Sequence, residues 1–180
     1  MSKRQWLDRT LNKAIRLQDW YFDPVFLNTQ HIQADKPALF VGNHTLYGLT
    51  DGPLLWDYLC REHNIFLRAL GDKVHFKIPG WREAMLINGA VEGSPENCRR
   101  LMQKGESILV YPGGSREVFK RKGEKYQLIW KQRTGFARMA IEHGYDIIPF
   151  AALGGDDCYD IVLDANDIQS NKFSSGLIKN

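Results

Sequence analysis

The chain has little that could be oxidised or could ligate a metal through sulfur: only Cys60, Cys98 and Cys158, widely spaced, with no C-x-x-C. An odd, scattered set argues against a disulfide framework and against a cysteine zinc site. No apolar run nears the roughly 18 residues of a membrane-spanning helix. The opening "MSKRQWLDRTLNK" lacks an apolar core and a small-residue cleavage site, so no secretory leader is expected and a cytoplasmic location is. Charge of one sign is also scarce. The 24 Lys and Arg nearly balance the 21 Asp and Glu, and no basic run or stacking motif points to nucleic acid. Internal repeats and low-complexity segments are missing too. What remains is 43% hydrophobic and 25% charged over 180 residues, enough for one globular domain with a substantial core.

Residues 3–18 read as an amphipathic helix, with Leu7, Leu11, Ala14 and Ile15 on one side and Arg9, Lys13 and Arg16 opposite. An aromatic cluster follows, Trp20, Tyr21, Phe22 and Phe26, interrupted by Pro24. Two uses fit this segment, which is taken as residues 1–28. Its apolar side packs on the domain, or it lies in a membrane interface with Trp and basic groups at headgroup level. Residues 29–180 form the domain proper. Apolar runs at 38–44, 65–72, 107–114 and 146–153 suit strands, and a further apolar segment covers 85–91. Helices are expected at 53–63, where Pro53 fits a first turn, and at 94–105. The latter has Ser94 as cap, Pro95 at its first position and Gly105 as its stop. A third runs over 130–144. Strands alternating with helices predict an α/β fold with a mixed, largely parallel sheet flanked by helices.

In such sheets, sites gather beyond the carboxyl ends of strands. "FVGNHTLYGLTDGP" (40–53) and "YPGGSREV" (111–118) both stand there. An imidazole is largely neutral near pH 7, and a carboxylate can fix its tautomer and stabilise the imidazolium, so His44 is a candidate general base. Asp51 is its nearest candidate partner. Seven residues along one straight helix would span about 10 Å, too far for a hydrogen bond. A turn using Gly48 and Gly52 could fold Asp51 back; otherwise Asp51 simply caps the helix at 53. Gly113 and Gly114 let backbone approach a ligand and expose N–H groups, and Arg116 supplies a forked charge for phosphate or carboxylate. The alternative for that stretch is a tight turn with an Arg116–Glu117 ion pair.

Together these pieces resemble the glycerolipid acyltransferase superfamily, the lysophospholipid acyltransferase-like proteins. They are most similar to the branch of type-2 diacylglycerol acyltransferases and plant phytyl ester synthases. Four ordered blocks carry the resemblance over residues 37–160: "GNHTLYGLTD", "LINGAVEG", "VYPGGSREV" and "DIIPFAAL", with "RTGFARMAIEHG" between the last two. Two departures stand out. Six residues separate His44 from Asp51 where the family usually has four, and the second block lacks its usual Arg. Domains of this kind are expected to continue some tens of residues past the fourth block, so a C-terminally shortened member is expected.

The resemblance implies an O-acyltransferase with His44 and Asp51 as catalytic residues and Asn43, Gly113, Gly114, Arg116 and Glu117 binding substrate. His44 would deprotonate a lipid hydroxyl that attacks the thioester of acyl-CoA or acyl-carrier protein. The backbone at Gly113–Gly114 would hold the oxyanion. Diacylglycerol, a long-chain alcohol and a lysophospholipid are the open acceptors, the missing Arg favouring a neutral one. No metal or other cofactor is implied, and the expected setting is peripheral to a membrane. Two other classes stay open: a lipid-binding protein that kept the fold without activity, and a serine hydrolase using Ser115 or Ser94, although "GGSRE" is not a G-x-S-x-G elbow. The acidic stretch "GGDDCYD", with Asp164 and Asp167 beyond, fails the calcium-loop pattern because Ile168 stands at a ligand position, so a solvated loop is expected.

Overall fold

The computed structural model of the protein describes residues 12–170. Chain order runs through helix α1 (Asn12–Phe22), strand β1 (Ala38–Gly42), helix α2 (Asp51–His63), strand β2 (Arg68–Gly71) and helix α3 (Trp81–Ile87). Strand β3 (Val91–Glu92), helix α4 (Pro95–Gln103), strand β4 (Ile108–Val110) and helix α5 (Gly114–Val118) follow, then helix α6 (Gly135–His143), strand β5 (Asp146–Phe150) and helix α7 (Ala165–Ser170).

The five strands form one sheet in the order β3-β2-β4-β1-β5, and every pair is parallel. Intervening helices and loops carry the chain back to the same edge each time, which is what parallel pairing demands. β1 is buried along its whole length, as its unbroken apolar run requires. Leu39 and Val41 join Cys98, Leu101, Met102, Met139 and Ala140 on the face covered by α4 and α6. Ala38 and Phe40 join Trp56, Leu59, Ile65 and Leu67 on the face covered by α2. The domain is thus a three-layer sandwich, with β1 between β4 and β5 at the level of its deepest packing.

Local signals set most boundaries. Ser94 caps α4 by accepting from the Asn97 N–H, with Pro95 just inside. Gly144 (φ 64) ends α6 in the left-handed conformation that favours glycine. The strands are shorter than the apolar runs that hold them, and three helix boundaries differ from expectation. α6 begins at Gly135 rather than 130, because Lys131 takes a left-handed φ of 54 and breaks the helical run. α2 begins at Asp51 instead of 53, which puts the acid inside the first turn. α1 runs on to Phe22, so Trp20, Tyr21 and Phe22 belong to the helix and the chain turns only at Asp23. Of the expected helix at 3–18, the stretch before Asn12, with Trp6, Leu7, Arg9 and Leu11, lies outside the described residues. No described helix is long and apolar enough to cross a membrane.

Candidate active site

β1 ends at Gly42, a position where nothing larger fits: a Cβ would lie 2.4 Å from the Phe150 ring. The register pairs Val41 with Val110 and Gly42 with Phe150, so the residues leaving β1 run between the exits of β4 and β5. Asn43 ties one side. Its side-chain amide donates to Ala152 O at 2.9 Å and accepts from Ala152 N at 2.8 Å, imitating one more rung of sheet.

His44 follows. Its Nδ1 stands 2.7 Å from Asp51 Oδ2, and the same oxygen accepts the Thr45 N–H at 2.9 Å. The unusual spacing is absorbed by a 3₁₀ turn at Leu46–Gly48, in which Tyr47 and Gly48 both take φ of 61. That turn sets α2 back under the histidine, so Asp51, though in the helix's first turn, aims its carboxylate at the preceding loop. The imidazole lies parallel to the Tyr111 ring, centroids 3.8 Å apart and planes 5° from coplanar. The contact favours the tautomer with its proton on Nδ1, in which Nε2 holds the lone pair. Nε2 has no hydrogen-bond partner among the described residues, and the side chain is 18% exposed against 1% for Asp51.

The Pro-Gly-Gly loop meets this turn through Glu117. The carboxylate is fully buried; one oxygen accepts the His44 N–H at 3.0 Å and the other the Ile129 N–H at 3.3 Å. Gly113 is required by that packing, since a Cβ would fall 2.3 Å from the Glu117 carboxylate. Gly114 (φ 54) turns the chain into α5, and its N–H already donates to Tyr111 O at 3.0 Å. Arg116 does not pair with Glu117. It reaches Glu124 at 2.5 Å and Phe119 O at 3.1 Å, and its hydrogen bond holds the Glu124 carboxyl below the usual range. The structure therefore brings His44, Asp51, Asn43 and Glu117 into one cluster, and turns the fork of Arg116 to its own loop.

Three contributors escape a reading of the sequence. Arg133 Nη1 donates to Pro112 O at 2.8 Å and Gly113 O at 2.9 Å, fixing the glycine loop from the far side. Lys120 and Asp156 form a buried pair at 2.7 Å. Asp156 also accepts the N–H groups of Leu46 and Tyr126, and Lys120 also donates to His44 O. Burial pushes the Asp156 carboxyl up; Lys120 and the two amides outweigh that and bring it below the ordinary aspartate range. The "GGDDCYD" stretch is thus not the solvated loop expected, because one of its acids is a buried anchor of the site. Among the described residues no group of three His, Cys, Asp or Glu side chains is placed to hold a metal ion. Ser94 is occupied as the α4 cap, and Ser115 is exposed on α5.

Behind the carboxylate runs an apolar groove of about 640 Å³. The segment Phe22–Ile32 forms one wall, and the residues from Ile148 to Gly155 form the other. Thr45, Thr50 and Asp51 lie along it, and Phe40, Leu54 and Leu59 also line it. Phe26, stacked on Tyr58 with centroids 3.8 Å apart, holds the N-terminal wall to α2.

Comparison with known proteins supplies the family. The family model described as diacylglycerol acyltransferase matches residues 57–179. The chloroplastic phytyl ester synthase 2 of Arabidopsis thaliana is 36% identical over 152 residues, 79% of this chain and 21% of that protein. The human "DGAT1/2-independent enzyme synthesizing storage lipids" is 30% identical over 70% of this chain and 41% of its own. Diacylglycerol O-acyltransferase 2 of Dictyostelium discoideum is 29% identical over 81% of this chain and 46% of its own. The chain therefore spans from about a fifth to under half the length of these relatives. No solved structure matches.

Proposed function

The chain belongs to the diacylglycerol acyltransferase family, and on that premise we propose that it transfers a fatty acyl group from a thioester to a lipid hydroxyl, with His44 as general base. The observation that carries this reading is the histidine held at Nδ1 by a buried carboxylate with Nε2 unoccupied. Nε2 takes the proton of the acceptor hydroxyl as its oxygen attacks the carbonyl of acyl-CoA or acyl-carrier protein. Asp51 stabilises the imidazolium so formed. The tetrahedral intermediate then collapses, breaking the C–S bond, and the imidazolium returns its proton to the departing thiolate. Of the two glycine N–H groups, Gly114's is spent on Tyr111 O, so Gly113 is the better candidate to meet the oxyanion.

The apolar groove beside Asp51 supports a long-chain substrate. The names of the relatives and the missing second-block Arg favour a neutral acceptor, diacylglycerol or a long-chain alcohol, over a lysophospholipid. The exposed Trp20, Tyr21, Val25 and Leu27 support work at the surface of a membrane, with Val25 and Leu27 at the groove itself. The test is purified protein with labelled acyl-CoA and a panel of lipid hydroxyl acceptors, products identified by mass. Ester formation that depends on His44 is the expected result. Lipid binding without turnover in any pairing would leave a non-catalytic lipid-binding protein.

A further inference from the structure

We infer that the buried Lys120–Asp156 pair positions the general base, clamping the backbone of the His44 turn from both neighbouring strand exits. The inference rests on His44 being that base. Its grounds are topological first. β1 lies between β4 and β5, Lys120 follows the exit of β4, and Asp156 follows the exit of β5. Their 2.7 Å contact closes across the chain leaving β1.

The turn needs such help because it is neither helix nor strand at His44 and Thr45, and buried backbone groups must find partners. Four of them in three consecutive residues go to charged side chains. His44 N–H goes to Glu117, His44 O accepts from Lys120, Thr45 N–H goes to Asp51, and Leu46 N–H goes to Asp156. Charge-assisted bonds are roughly twice as strong as neutral ones, so they hold a peptide against displacement better. Stability alone is a poor reason to keep this pair. Side chains 2% and 3% exposed lose their hydration, and apolar replacements of buried ion pairs are often as stable or more so. What an apolar pair could not do is hold His44 O and Leu46 N at set positions, and with them the direction of the imidazole.

The test separates fold from geometry. Lys120→Met leaves a buried carboxylate without its cation, so its thermal midpoint should fall. Adding Asp156→Asn removes that charge and should restore most of the midpoint. In both folded proteins kcat with oleoyl-CoA and dioleoylglycerol carried in mixed detergent micelles should stay at least about tenfold down, with KM for oleoyl-CoA within about twofold, as misplacement of a catalytic group predicts. Proton–nitrogen NMR of His44 in the free protein gives a reading without substrate. Wild type should show one tautomer with its proton on Nδ1, and the double variant a mixture. Recovery of kcat together with the midpoint, or an unchanged Nδ1 signal in the double variant, would overturn the inference. Wild-type protein with the single tautomer but no turnover would count against acyl transfer and leave the clamp standing.

Discussion

Gly48 lies against the edge of the His44 ring so closely that a Cβ there would stand 2.4 Å from Cε1 and 2.8 Å from Nε2. Both distances are far inside van der Waals contact, so a methyl group would force the imidazole off its contacts with Asp51 and Tyr111. Residue 48 also has a φ of 61, where an L side chain is strained by about 1 kcal/mol or more. Gly48→Ala should therefore lower kcat by roughly 10² or more while acyl-CoA binding survives, the loss expected when a base is displaced. Steady-state kinetics with a thermal melt decide it, and full activity would mean that turnover does not depend on the imidazole keeping this place.

His44→Ala and Asp51→Asn form a graded pair. The first should cost roughly 10² to 10⁴ in kcat with thermal stability nearly unchanged. The second keeps the shape but removes the negative charge beside Nδ1 and leaves a buried amide where Asp51 Oδ1 already lacks a partner. Its kcat should fall toward the lower end of that range. An Asp51→Asn variant at wild-type kcat would reduce Asp51 to a holder of the Thr45 amide.

Tyr111 offers a test of pH dependence. Its hydroxyl is buried and unpartnered among the described residues, and burial, with Asp51 and Glu117 nearby, raises its pKa well above the usual phenol value. A raised folded-state pKa means that this group's contribution is whole below about pH 10 and is lost as pH climbs through the folded value. Tyr111→Phe should keep the stacked ring, add about 1–3 kcal/mol by removing an unsatisfied hydroxyl, and lose less stability in alkaline melts. Tyr111→Leu should instead lower kcat, since the imidazole loses its parallel face.

Arg116→Lys distinguishes a loop brace from a substrate clamp. Paired with Glu124, the arginine should be worth about 1 kcal/mol or less, because both groups are partly exposed. That share is present above the ordinary glutamate pKa and fades as pH falls through the depressed value of Glu124. A lower thermal midpoint with both KM values intact is expected. A raised KM for either substrate would return Arg116 to the binding site.

Val25→Asp and Leu27→Asp should weaken sedimentation with lipid vesicles without changing the circular dichroism spectrum, since both side chains are exposed beside the groove. Unchanged vesicle binding would remove this surface as the point of attachment.

Reading along the chain recovers what is local. Apolar runs closed by glycine gave β1 and β4 to within a few residues, and Ser94-Pro95 marked the start of α4. The His44–Asp51 question stayed open because its answer lies in two left-handed residues, and Tyr47 carries no sign of a positive φ in its side chain. Lys120 and Asp156 were illegible for a different reason. Each looks like a surface charge until the strand order puts the exits of β4 and β5 on either side of β1. Sequence spacing alone holds no record of that order.

The partners of the His44 turn lie far along the chain. Its N–H is met 73 residues later by Glu117, its carbonyl 76 residues later by Lys120, and the Leu46 amide 110 residues later by Asp156. Contacts so distant form only after long loops have closed, an entropic cost met late in folding. The dyad is local in sequence, yet during synthesis it waits for nearly the whole domain. A nascent chain released from the ribosome only as far as β4 would carry both His44 and Asp51 and still lack the Asp156 anchor, so the pair should become ordered with completion of the sheet and not with the appearance of its own residues.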